Sequence, residues 1–208
     1  MKITGIEPQK KKGRKNIFLD GAFAFGVSDE NIMRFGVRIG DDVTHELVEN
    51  IRIADEFSTA KKIAIRALAR TMKTEKEIRK KLSSFGFGDT VIEATIAFLN
   101  EHNFLNDEKY GEIFVHDAMQ RKPRGKKLVF FQLQAKGVAK ELAYKSTERI
   151  SEETERINAS MLAEKKIELL LSSRKLTIEQ RKRRIGDFLL RRGFASEIVF
   201  SVIKKLFS

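Results

Sequence analysis

The chain has no cysteine and no tryptophan, and among its 208 residues only two prolines and three histidines. Without cysteine there are no disulfides and no thiolate metal ligands, which fits a reducing compartment. With so little proline, long stretches stay open to helix, which proline would interrupt. No window comes near the roughly 20 apolar residues that a membrane span requires, so no membrane partner is expected. The opening stretch MKITGIEPQKKKGRK lacks an apolar signal core, so export is not expected and the location is read as cytoplasmic. His45, His102 and His116 stand far apart with no metal-type spacing, so neither a metal nor another cofactor is expected. The adjacent pairs Asp41-Asp42 and Glu152-Glu153 would diverge on a helix, and no phosphate loop of the G-x-x-x-x-G-K-(S/T) type occurs. No catalytic residue can be named, and the chain reads as a non-enzyme. A carboxylate pair assembled by folding, as in a nuclease, stays open as an alternative.

What is present is charge, and it is lopsided. Lysine and arginine total 41 against 29 acidic residues, a net charge of +12 and an isoelectric point near 9.9. The last 47 residues alone hold twelve basic and five acidic side chains. Such an excess points to a polyanionic partner: nucleic acid, an acidic protein surface or anionic lipid.

Residues 1–57 read as a separate N-terminal region. KITGIE alternates, and Asp20-Gly21 stands between two apolar stretches. Asp-Gly in that setting signals a tight hairpin, because a type I′ turn needs positive φ at both central residues. KKKGRK is read as an exposed loop between the first two strands. A short helix is expected over 29–35, stopping at Gly36, and another from near Val43 or Thr44 toward Phe57.

From Ser58 onward helical periodicity takes over. Thr74 and Glu77 have the spacing of a capping box ahead of a helix. A signature then recurs: Leu, three residues, Gly, then an apolar residue, at Leu82/Gly86/Phe87, Leu133/Gly137/Val138 and Leu189/Gly193/Phe194. A helix that ends on a left-handed glycine packs the residue after it against the third helical position back, which accounts for the pattern. The anchor leucines lie 51 and 56 residues apart. The fold class expected is mostly α: three tandem three-helix repeats over 58–107, 108–161 and 162–208 in an elongated array, with a small β-hairpin-containing N-terminal extension. First helices are expected over 60–71, 108–120 and 162–173. Asp89 and Ser196 are expected to cap the third helices of the outer repeats; Lys140 stands in the middle one, which should start less sharply. SEETERINAS, residues 151–160, is read as a flexible junction.

Basic side chains cluster in RKPRGKK (121–127), RKRR (181–184) and the helix end LLRR (189–192). Lys122, Arg124, Lys126, Lys127, Arg181, Lys182, Arg183, Arg184, Arg191 and Arg192 are the candidate contact residues, undivided between protein and DNA. Part of this charge would only solvate helices and complement their dipoles. A helix-turn-helix reader of base sequence is disfavoured, because the third helices DTVIEATIAFLNE and SEIVFSVIKKLF are apolar or acidic where such a motif is polar and basic.

Four segments together resemble the RecX family, bacterial regulators of the RecA recombinase. KTEKEIRKKL (73–82), FLNDEKYGEIFV (104–115), GKKLVFFQLQAKGV (125–138) and RRGF (191–194) are similar to that family's motifs in order and spacing. Lys73, Thr74 and Ile78 are mild departures, as are Gly111, where alanine is usual, and Gln132, where glutamate is common. The resemblance implies a non-enzymatic modulator of three tandem three-helix repeats. Its partner would be RecA, as monomer or filament, and it would contact DNA weakly and without sequence preference. Such proteins lie along the groove of the RecA–DNA filament and restrain its ATPase, strand-exchange and co-protease activities. The residues alone leave a second possibility, a sequence-independent nucleic-acid-binding protein with no recombinase partner.

Overall fold

The computed structural model describes residues 1–121, 123–171 and 176–208, which form three strands and ten helices. Two compact units result: Met1–Thr71 with Ile78–Phe104, and Met72–Glu77 with Leu105–Ser208.

In the first unit β1 (Ile3–Pro8), β2 (Arg14–Leu19) and β3 (Ala22–Ser28) form an antiparallel sheet in the order β1-β2-β3. Asp20 at φ 50° and Gly21 at φ 84° both take positive φ, as the turn demands. The loop before β2 is shorter than expected, since Arg14 and Lys15 already pair in the sheet. Helix α1 (Asp29–Phe35) opens on the Ser28 hydroxyl and stops at left-handed Gly36, at the bounds expected. Ile3, Ile17, Phe25, Val27, Val37, Val43 and Ile51 form the core beneath the sheet.

Helix α2 (His45–Arg70) runs unbroken for 26 residues, so the two helices expected on either side of Phe57 are one. The cause is tertiary. Asp55 on α2 is only 5% exposed. Its carboxylate accepts the Ser28 N–H at 2.8 Å, the Asn31 amide at 3.1 Å and the Arg14 guanidinium at 2.7 Å. That tie holds the first half of the helix to β2, β3 and α1. Ala60, Ala64 and Ala67 then continue its buried face toward α4 (Asp89–Glu101), which buries Val91, Ile92, Thr95, Ile96 and Leu99.

Helix α3 (Glu75–Ser84) begins as its sequence specified. The Glu77 N–H donates to the Thr74 hydroxyl and the Thr74 N–H to the Glu77 carboxylate, both at 3.2 Å.

The second unit holds α5 (Asp107–Gln120), α6 (Lys126–Ala135), α7 (Lys140–Glu148), α8 (Glu152–Leu171), α9 (Ile178–Arg191) and α10 (Ser196–Leu206). Two cores fill it. Tyr110, Val115, Ala118, Val129, Leu133, Val138, Ala143 and Ile150 make the α5–α7 core. Ala159, Ala163, Leu170, Ile185, Leu189, Phe194, Ile198, Val199 and Val202 make the α8–α10 core.

The repeated signature is a repeated cap. Gly86, Gly137 and Gly193 have φ of 83°, 97° and 84°. After each, the next residue donates its N–H back to the anchor leucine carbonyl: Phe87 to Leu82 at 3.4 Å, Val138 to Leu133 at 3.1 Å and Phe194 to Leu189 at 3.3 Å. All three leucines are fully buried, each contributing about 1.5–3 kcal/mol by burial. A fourth instance ends α1, where Val37 donates to Ile32 around Gly36.

Three expectations fail. Asp89 and Ser196 are not caps: each is the first helical residue, and the caps are Gly88 and Ala195, neither with a side-chain hydrogen bond. The middle helix α7 starts the same way, after Ala139, so it is no less sharply begun. Acidic Asp89 and Glu197 sit in the first turns, where they favour the helix dipole instead. The segment 151–160 is not a junction but the start of α8, which also precedes the expected helix start at 162 by ten residues. Its polar residues are held by packing: Glu155 and Asn158 are buried, at 5% and 7% exposure.

Candidate partner-binding surface

All ten candidate residues belong to the second unit, and Lys122 lies outside the described residues. Arg124 precedes α6, while Lys126 and Lys127 form its first turn. Arg181, Lys182, Arg183 and Arg184 occupy the first two turns of α9; Arg191 is its last residue and Arg192 its C-cap.

The structure joins the first and last of these groups through the backbone. The Gly125 N–H donates to the Arg192 carbonyl at 2.9 Å, and the Lys126 N–H donates to the Glu155 carboxylate at 2.7 Å. The N-terminus of α6 thus has no side-chain cap of its own. Instead it is satisfied by the end of α9 and by an acidic side chain of α8, whose charge suits the positive end of the helix. Glycine is required on both sides of this joint. A Cβ at Gly125 would overlap the Gly193 carbonyl, and a Cβ at Gly193 would overlap the Leu128 Cβ and N, with Leu128 Cα at 2.9 Å. The loop RKPRGKK and the cap RRGF are therefore neighbours, though more than 60 residues apart in sequence.

Arg124, Lys126, Lys127, Arg191 and Arg192 form one cationic neighbourhood. Arg181–Arg184 stands apart along α9: Arg184 and Arg191 share a face two turns apart, about 10 Å at 1.5 Å per residue. That is close to the Debye length of about 8 Å at physiological salt, so the two groups couple weakly unless one ligand spans both.

The ten residues also differ in freedom. Arg124 bonds the Gln132 side chain and lies over the Phe114 ring, 5.7 Å from its centroid. Lys182 pairs with Glu179 at 2.9 Å and approaches the Phe207 ring. Arg192 is half-buried over Phe188 at 5.2 Å. These hold helices together as well as carrying charge, and Arg181 is likewise half-buried. Lys127, Arg183, Arg184 and Arg191 are exposed, and no ion pair neutralises them among the described residues.

Across the α3 start, Lys136 shows what a fully engaged cation looks like. It pairs with Glu77 at 2.6 Å and lies 5.9 Å from the Tyr110 ring centroid. Burial pushes the Glu77 carboxyl up, but Lys136 and the Thr74 N–H outweigh it and hold the group below its usual value. The Thr74 hydroxyl donates to the Lys136 carbonyl at 2.6 Å, so the capping box is also a docking point for the end of α6.

Two departures from the family motifs have local reasons. A Cβ at Gly111 on α5 would overlap the Ser146 hydroxyl of α7, with Ser146 Cβ at 3.2 Å. Ser146 and Thr147, polar at core positions, are satisfied by donating to the Leu142 and Ala143 carbonyls at 2.7 and 3.0 Å. Gln132 takes the Arg124 guanidinium. Reasoning from sequence missed Glu155 and two exposed aromatic residues, Phe131 and Tyr144. The phase of α6 could have revealed Phe131, which falls off the face defined by Val129 and Leu133.

Comparison with known proteins gives a consistent picture. Residues 1–44 match the family model for the regulatory protein RecX N-terminal domain, residues 60–99 that for the first RecX three-helix domain, and residues 154–203 that for the third. The chain is 36% identical to the regulatory protein RecX of Clostridium perfringens (strain SM101 / Type A) over 99% of its own length and 96% of the relative. It is 35% identical to that of Clostridium botulinum (strain Alaska E43 / Type E3), over 98% and 95%. A crystal structure of regulatory protein RecX superposes with a TM-score of 0.74 at 26% identity, covering 98% of each chain. The crystal structure of RecX from Lactobacillus salivarius gives 0.65 at 25% identity, over 74% of this chain and 97% of that one.

Proposed function

Because this chain belongs to the RecX family of regulatory proteins, we propose that it binds the RecA recombinase and the RecA–DNA filament and restrains RecA's ATPase, strand-exchange and co-protease activities. It acts by docking, without bond-making chemistry and without a cofactor, through its successive three-helix units. The observation that carries this reading is the Gly125–Arg192 contact, which merges two basic segments into one cationic neighbourhood on a rigid backbone joint. Paired charge would only solvate helices. Lys127, Arg183, Arg184 and Arg191 are the residues available to an acidic groove or to phosphates, and such a contact weakens as salt rises.

The test is a titration of the protein into RecA hydrolysing ATP on single-stranded DNA. Inhibition is expected at amounts far below those that coat the DNA. Changing Lys127, Arg183, Arg184 and Arg191 together to glutamate should weaken inhibition by at least roughly tenfold, since like charges brought together cost several kcal/mol, while leaving helical circular dichroism unchanged. Inhibition only at DNA-coating amounts would mark a nucleic-acid-binding protein with no recombinase partner. Full inhibition by the variant would remove these four residues from the interface. Degradation of labelled DNA in magnesium or manganese would replace the docking mechanism with a nuclease.

A further inference from the structure

A groove of about 520 Å3 runs between α6 and α7, lined by Lys126, Lys127, Phe130, Phe131, Tyr144, Thr147 and Glu148. Phe131 and Tyr144 are 55% and 58% exposed, although each could have been polar without loss to the core on its helix's other face. Phe130 is half-buried and sets its ring edge-on to Phe131 at 5.6 Å, which steadies the exposed ring from behind. The Glu148 carboxylate beside Tyr144 pushes the phenol's pKa up, so the ring stays neutral. Two exposed aromatic rings beside two lysines match the chemistry of single-stranded nucleic acid: bases stack on aromatic faces while phosphates meet cations.

We propose that this α6–α7 groove binds single-stranded DNA, one or two bases stacking on Phe131 and Tyr144 and the flanking phosphates contacting Lys126 and Lys127. The volume lies in the range of about 300–1,000 Å3 typical of small-molecule sites, enough for a nucleotide and too little for a duplex. A duplex keeps its base faces covered by stacking and offers this groove only phosphates. An apolar helix is a poorer occupant, because lysines and the Tyr144–Glu148 pair would be desolvated beneath it. An acidic peptide supplies the anions but not the run of flat base faces that two exposed rings can stack. The strand would continue onto the Arg124, Arg191 and Arg192 neighbourhood, which the Gly125–Arg192 bond brings beside the first turn of α6. This extends the proposed contact with a DNA filament but stands on the groove alone.

The full-length protein, without RecA, is titrated against a fluorescent oligothymidine and against a duplex of equal length at several salt concentrations. Binding to the single strand should be the tighter. Phe131→Ala with Tyr144→Ala should weaken single-strand binding by roughly 5- to 150-fold for each stacked base lost, leave duplex binding alone and leave the salt slope unchanged. Lys126→Ala with Lys127→Ala should instead reduce the slope of log K against log salt by about 1.4, from about 0.7 per phosphate. Circular dichroism checks that both variants keep their helices. Equal affinity for strand and duplex, or an aromatic double variant that binds the strand normally, would overturn the proposal. So would displacement of the strand by an acidic aromatic peptide whose own binding the aromatic variant abolishes while strand binding persists. RecA inhibition is measured separately, and neither its presence nor its absence alters this result.

Discussion

Gly86 and Gly193 offer a matched comparison, because both end a second helix with nearly identical φ, 83° and 84°. Their surroundings differ completely. Nothing lies within 4 Å of a Cβ at Gly86, whereas at Gly193 a Cβ would overlap the Leu128 Cβ and N. Gly86→Ala should therefore show only the backbone effect: about 1–2 kcal/mol for a side chain in the left-handed region, less about 0.4–1 kcal/mol from the stiffened unfolded chain. The net cost is about 1 kcal/mol. Gly193→Ala adds overpacking against α6 of about 1–3 kcal/mol, for a total of about 2–4 kcal/mol. With a urea m-value of about 2 kcal/mol/M, the midpoints should fall by about 0.5 M for the first and about 1–2 M for the second, followed by circular dichroism at 222 nm. Trimming Leu128 to alanine should not rescue Gly193→Ala, since the obstructing atoms are its Cβ and backbone. Equal shifts at the two glycines would refute the claim that the end of α9 seats directly on the first turn of α6.

Thr74→Val keeps the shape of a fully buried side chain but removes the α3 cap, worth about 1 kcal/mol, and strands the Lys136 carbonyl, at about 1–3 kcal/mol; a loss of about 2–4 kcal/mol is expected in urea denaturation, and one below about 0.5 kcal/mol would contradict the double role. At Asp55 burial pushes the carboxyl up, but the Ser28 N–H, the Arg14 guanidinium and the Asn31 amide outweigh it, so its pKa lies below the ordinary 3.8. A depressed folded pKa stabilises above the unfolded value and is lost as pH falls through the folded one. Asp55→Asn should accordingly cost about 2–3 kcal/mol at pH 7 and flatten the loss of stability below about pH 4; an acid limb as steep as the unsubstituted protein's would exclude Asp55 as a contributor.

Features set by a few adjacent residues were legible in the sequence. The Asp20-Gly21 turn, the Gly36 stop, the Thr74–Glu77 box and the three leucine–glycine caps each depend on a backbone angle or a hydrogen bond within six residues. Most of what failed depended on partners far away in sequence. SEETERINAS looked like a linker because it is polar, yet Glu155 serves the Lys126 N–H from 29 residues off and Asn158 reaches the Met119 carbonyl. Ser58 and Thr59 looked like a helix boundary, but the face buried by Ile51 and Asp55 continues past them through Ala60, Ala64 and Ala67. Asp89 and Ser196 were the right residue types one position too late. The basic residues were legible as clusters, and the helical spacing of Arg184 and Arg191 with them, but no local pattern announces that Gly125 will meet Arg192.

The glycine joint between α6 and α9 has an evolutionary side. Since main-chain contacts at Gly125 and Gly193, with the Glu155 carboxylate beside them, make the mount, the exposed cations Lys127 and Arg191 are interchangeable fittings on it. A lineage can swap, add or drop individual cations in either segment, retuning grip and salt sensitivity, while the place where they gather does not move. Replacement of Gly125 or Gly193 themselves would shift that address.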